Sequence, residues 1–246
     1  MSYSRPVLPE SFPEGSALEC ALYGMGVMIS ADKRVPDPNI EDTLISAVRE
    51  ELLHGGSRVL ALATDWIEVH RDRINVDRLT RALESLSGEG NVKIYFTALA
   101  QWLVKADRRF ARLAHLYKGE RRTFLSLPPD APFSDLTGLL VTRAGGEDPR
   151  FVNTCLKVPL GTIRRRPGKD ILSAKELCKL HAPFRFRVMM GPSYRADLWA
   201  IYHQDPSLSA YEAAKRAYSS YETARQVKQD FELVRRVGSR AEPKSA

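Results

Sequence analysis

Cysteine is scarce in this 246-residue chain. Cys20, Cys155 and Cys178 lie far apart, and no pair has the CxxC spacing of a zinc or redox site. Three scattered thiols argue against a disulfide framework and predict a reducing, cytoplasmic setting. Long apolar runs are missing too. The most apolar early stretch, 17–29, is interrupted by Glu19, Gly24 and Gly26, and nothing approaches the ~20 residues that span a bilayer. No basic-then-apolar leader opens the chain. A membrane partner is therefore not expected.

The signatures of common chemistries are absent as well. There is no phosphate-cradling GxxxxGK[ST], and the five histidines show neither HxxxH nor HExxH spacing, so no metal site is indicated. Gly55-Gly56-Ser57 with Asp65 and Glu68 has the residue types of a nucleotidyltransferase site. That chemistry needs two carboxylates one residue apart on a strand, aimed at one metal. Asp65 and Glu68 are three apart in a run of helical period. Cys155 and Cys178 act as nucleophiles only with a histidine beside them, and buried thiols are the commoner case. The expectation is a non-enzyme without a cofactor.

What is present is charge, unevenly placed. The chain carries +7 overall; residues 1–100 carry a net −5 and residues 101–246 a net +12. A basic half points to a polyanion, most often nucleic acid. The N-terminal 118 residues lack that surplus and are not expected to bind DNA alone.

Periodicity predicts a mainly α fold. Residues 1–38 are rich in Pro and Gly and read as an arm with one short helix near 16–25. Five helices are expected over 40–53, 57–71, 75–86, 92–104 and 107–117, from apolar residues recurring at three and four. These make a helical domain over 1–118, with a surface for a protein partner or a second copy. Residues 119–170 form a Pro/Gly-rich segment with β-like runs at 136–142 and 151–158, a hairpin near Gly145-Gly146, and a basic loop of Arg164, Arg165, Arg166 and Lys169. Residues 171–246 read as a DNA-binding domain with a basic tail. It opens with a helix over 173–180, capped by Ser173 with Glu176, and an exposed strand over 184–188, where Phe and Arg alternate.

Caps punctuate the remainder of that domain. Ser193 starts a helix to Tyr202, stopped by Asp205-Pro206. Ser209 with Glu212 starts a second, broken at Tyr218-Ser219. A third helix over 221–234 starts at Ser219 or Ser220, and Ser219 with Glu222 makes a further capping box. Ala213, Ala214 and Ala217 allow a close helix crossing, and Ala224, Val227, Phe231 and Val234 make a buried stripe. Two short capped helices around a tight break are what a helix-turn-helix requires. On the outer face, Arg225, Gln226 and Gln229 are side chains able to read guanine and adenine edges. Ser220, Tyr221, Thr223 and Lys228 suit contacts near the helix N-terminus, and Arg235, Arg236 and the 164–169 loop suit phosphates.

Arg195-Ala196-Asp197-Leu198, Ala213-Ala214 and the run from Tyr218 to Arg225 resemble the winged helix-turn-helix of bacterial transcriptional regulators and of antitoxins paired with nucleotidyltransferase toxins. The resemblance covers about the last fifty residues. It implies a protein that binds double-stranded DNA, represses its own operon and meets a toxin through its N-terminal half. One departure stands out: only a dozen residues follow Val234, so any wing is short or replaced by the basic tail. The rival reading is a non-catalytic adaptor that holds nucleic acid by charge within a larger, for example phage-defence, complex.

Overall fold

The computed structural model describes residues 12–55, 57–124, 141–164 and 166–239. They are mainly helical, and no helix among them is long and apolar enough to cross a membrane. The described residues divide into two compact units, one within 12–174 and one over 175–239.

The larger unit is built on α1 (Gly15–Gly24), α2 (Ile40–His54), α3 (Arg58–His70), α4 (Val76–Ser85) and α5 (Gly90–Leu103). Local chemistry sets their ends. Asn39 and Asn75 cap α2 and α4 by accepting the backbone N–H of Asp42 and Arg78, at 3.1 and 3.2 Å. Gly55, at φ 70°, closes α2 in the left-handed conformation. Leu44, Val48, Trp66, Leu83, Tyr95 and Phe96 fill the core.

The fifth expected helix, 107–117, is instead a pair of 3₁₀ turns, Arg108–Ala111 and Leu113–His115. Two side chains explain the change. Asp107 accepts from the Arg109 backbone at 3.0 Å and chelates the Arg109 guanidinium. Gln101 donates to the Ala114 carbonyl at 3.1 Å, taking the acceptor a continuing helix would use.

The Pro/Gly-rich segment also departs from expectation. β1 (Arg122–Thr123) pairs in parallel with β2 (Leu156–Lys157). Of the expected run 151–158 only 156–157 is strand; of 136–142, residues 136–140 lie outside the described residues and 141–142 are helical. Gly145 and Gly146, at φ 77° and 130°, do not turn a hairpin. They terminate a helical turn, donating to the carbonyls of Thr142 and Val141. A short helix, α6 (Pro167–Asp170), ends the basic loop.

Buried polar locks hold this segment to the helices. Arg150 donates to both Asp148 oxygens, at 3.0 and 2.7 Å, and to the Ile163 carbonyl at 2.8 Å. Asp65 on α3 lies 3.7 Å from the same guanidinium and accepts the Arg166 backbone N–H at 2.7 Å. A second group joins Arg78 on α4 to Glu41 and Asp42 on α2. Phe151 is fully buried and meets Tyr95 at 5.8 Å between ring centres.

The smaller unit contains α7 (Ala174–Leu180), α8 (Ala182–Met190), α9 (Tyr194–Gln204), α10 (Ala210–Ala217) and α11 (Tyr221–Ser239). The strand expected over 184–188 is helix α8. His181 caps it by accepting the Phe184 N–H at 3.0 Å, and Pro183 suits its first turn. The alternation misled because Arg187 is not a solvent-facing residue. It is buried, and its Nε donates to Asp197 of α9 at 2.7 Å.

Candidate nucleic-acid interface

Three helices, α9 to α11, carry the sequence features of a helix-turn-helix. Ser193 caps α9 by accepting the Ala196 N–H, and the chain turns at Asp205. Ser209 caps α10, accepting from the Glu212 backbone at 3.2 Å and donating to its carboxylate at 3.1 Å. Tyr218 ends α10 at φ 55°, a left-handed residue where glycine is usual, and is itself buried. Its N–H and that of Ser219 bond back to the carbonyls of Lys215 and Ala214.

That break moves the next cap by one residue. Ser219 is buried, so the expected pairing of Ser219 with Glu222 is replaced by Ser220. Ser220 Oγ accepts the Thr223 N–H at 3.2 Å and lies 2.8 Å from Thr223 Oγ1. α11 then runs to Ser239, farther than expected. Among the described residues no strand follows its start, so Arg235 and Arg236 continue a helix rather than enter a wing.

Small residues bring these helices close. Ala213, Ala214 and Ala217 are buried with Leu198, Tyr202, Leu208, Ala224 and Val227. Tyr202 donates to the Ala224 carbonyl at 3.1 Å, and burial pushes its phenol up to about 12. Phe231 is half-buried against Trp199 and Tyr202, at 5.3 and 5.9 Å between ring centres. Val234, expected in this stripe, is 57% exposed because α11 outruns the core.

The opposite face is polar. Ser220, Tyr221, Arg225, Gln226, Gln229, Arg235 and Arg236 are exposed, and Thr223 and Lys228 half-buried. With roughly 3.6 residues per turn, Arg225, Gln229 and Arg236 share one stripe, away from Ala224, Val227 and Phe231. Their freedom differs. The Arg225 guanidinium lies 3.7 Å from Glu222, both exposed. Gln226 Nε2 donates to Asp230 at 3.2 Å, and Asp230 also accepts from Arg195 at 2.6 Å. Lys228 Nζ donates to the Leu208 carbonyl at 2.8 Å, which engages its ammonium within the unit.

Two residues were not singled out in the sequence: Tyr211, 60% exposed on α10, and Lys215, whose ammonium lies 4.9 Å from the centre of that ring. The signal was available. Both sit on the face of α10 away from Ala213, Ala214 and Ala217. Of the basic loop, Arg164, Arg166 and Lys169 are exposed and belong to the larger unit, while Arg165 lies outside the described residues.

Two of the residues weighed for catalysis, Asp65 and Cys155, have structural partners. Asp65 is buried on Arg150 and the Arg166 backbone. Burial pushes the Cys155 thiol up to about 11, so it is not held as a reactive thiolate. Among the described residues no group of three His, Cys, Asp or Glu is placed to hold a metal ion. Comparison with known protein families, curated proteins and solved structures finds no match to this chain.

Proposed function

We propose that this chain is a DNA-binding protein, a transcriptional regulator or antitoxin-type autorepressor, that lays α11 in the major groove of duplex DNA. One observation carries the reading: two capped helices, α10 and α11, meet at a left-handed break with Ala213, Ala214, Ala217, Ala224 and Val227 buried between them, which leaves the Arg225 and Gln229 face of α11 in solvent. A helix so mounted fits a groove about 12 Å wide. Arg225 and Gln229 are assigned base edges; Gln226 joins them when it releases Asp230. Ser220, Tyr221, Thr223, Arg235 and Arg236 are assigned phosphates. Lys228 positions α11 through Leu208. The larger unit is assigned the partner or self-association surface.

The test is selection of duplexes from a random-sequence pool by the full chain, followed by titration of the enriched duplex. Arg225→Ala and Gln229→Ala should each weaken that binding by about 1–3 kcal/mol. A pool that enriches no sequence, with binding governed by salt alone, would overturn base reading and favour the adaptor.

A further inference from the structure

A local excess of positive charge outside the helix-turn-helix, besides the 164–169 loop, lies in the larger unit. Residues 105–122 contain seven Lys or Arg against two Asp or Glu. The structure sorts these cations into two groups. Arg109, Arg112 and Arg121 are spent on carboxylates: Arg109 on Asp107, Arg112 on Asp77 and Glu84, Arg121 on Glu147. Lys105, Arg108, Lys118 and Arg122 are exposed, and their side chains make no ion pair or hydrogen bond among the described residues.

The backbone that carries these four is braced. Gln101, near the end of α5, accepts the Cys155 N–H at 2.7 Å and donates to the Ala114 carbonyl at 3.1 Å. Cys155 in turn accepts the Arg122 N–H at 2.9 Å. One amide side chain thus joins the segment bearing Lys105, the 3₁₀ turn before Lys118 and the strand bearing Arg122. Tyr117 folds over the following turn and donates to the Glu120 carbonyl at 3.0 Å. Gly119 permits this, since a Cβ there would run into the Tyr117 ring. Cations on a fixed frame lose less freedom on binding a polyanion than cations on a loose tail.

We propose that Lys105, Arg108, Lys118 and Arg122 form a second nucleic-acid surface, on the larger unit, that grips the sugar-phosphate backbone without reading sequence. Three of the four lie within the N-terminal 118 residues, which are not expected to bind DNA alone. The surface is independent of α11, and phosphate contacts of this kind supply affinity and salt dependence rather than specificity.

The test uses the full chain and a scrambled 20-base-pair duplex, titrated at several salt concentrations. The variant Lys105→Ala/Arg108→Ala/Lys118→Ala/Arg122→Ala should flatten the log affinity against log salt slope by roughly two to four units, at about 0.9 per phosphate contact. Affinity at low salt should fall at least about tenfold, since each lost contact removes counterion release. Circular dichroism should match wild type. The charge-conserving Arg108→Lys/Arg122→Lys should keep the wild-type slope. For a duplex enriched by selection, the ratio of enriched to scrambled affinity should survive in the quadruple variant; Arg225→Ala should instead erode that ratio with the slope little changed. An unchanged slope in the quadruple variant, or a wild-type chain that binds no duplex at low salt, overturns the proposal. So does a variant that loses binding to phosphatidylserine vesicles while keeping its duplex slope, because the surface would then serve a membrane.

Discussion

The two units are held together by different means. In the larger one, decisive contacts join residues far apart in sequence: Asp65 accepts from Arg166, 101 residues on, and His70 from α3 meets Leu172, 102 residues on. In the smaller one, between α9 and α11, the organising contacts are local. Ser209 caps through Glu212 three residues on, Ser220 through Thr223, and alanines close the crossing. A unit of the first kind fails when one buried polar group is removed. The α9 to α11 part of the smaller unit, beyond the buried Arg187–Asp197 pair that ties α8 to α9, loses stability in small steps and leaves a face free for a partner.

The sharpest cut is Arg150→Ala. It strands Asp148 and Asp65, both buried, without their shared cation. Removing one partner of a buried pair costs about 3–5 kcal/mol. Amide hydrogen exchange should show protection lost across α2 to α5 and kept in α10 and α11. Equal loss in both sets would erase the distinction between the units.

Acid is the next probe. Burial, with a smaller push from the Arg73 charge, holds the His70 imidazole down near 4 against an ordinary 6.5, although its bond to the Leu172 carbonyl works the other way. At 3.0 Å from that carbonyl, Nε2 acts as the donor of a neutral ring, which also lies tilted against Trp66 at 4.9 Å between ring centres. The unfolded chain therefore binds the proton first. The contribution to stability is complete above pH 6.5 and is lost as pH falls toward 4, up to about 3 kcal/mol. Urea melts at pH 7 and pH 4.5 measure it, and His70→Gln should remove most of this pH dependence. A histidine variant as acid-sensitive as wild type would place the transition elsewhere.

This contrast also explains what the sequence revealed. Helix periods and the caps at Ser193 and Ser209 were legible because they involve residues within one turn. The Arg150 lock was not, since nothing local to Asp148 or Arg150 marks Asp65 as their partner. α8 was misread for the same reason: a buried Arg187 looks like a surface residue until Asp197 of α9 is seen beside it. At the candidate interface the outward face of α11 was legible from its period, whereas the pairing of Asp230 with Arg195 and the tethering of Lys228 to Leu208 depend on tertiary packing.

Cap removal should show the smaller unit's graded response. Ser209→Ala and Ser220→Ala each delete a side-chain acceptor for a helix N–H, and each should cost about 1 kcal/mol in denaturant melts of the full chain. Ser219→Ala is the informative companion. Its hydroxyl lies 3.3 Å from the Ser220 carbonyl and caps nothing, so its loss should be smaller than that of Ser220. If Ser219→Ala proves the costlier of the two, the start of α11 is misplaced by a residue.

The smallest effect on stability belongs to Arg225→Ala. The side chain is 57% exposed, its partner Glu222 is 64% exposed, and they stand 3.7 Å apart one turn along the helix. A pair of this kind is worth a few tenths of a kcal/mol and is screened by salt. The change to alanine also raises helix propensity slightly. The two terms nearly cancel, so the unfolding midpoint should stay within about 0.5 kcal/mol of wild type in denaturant melts. Such a residue contributes almost nothing to the fold it sits on, which is the condition under which a surface side chain is available to a ligand. A loss of stability above about 1 kcal/mol would mean that Arg225 packs against the body of the unit, and α11 would then present a different face to solvent.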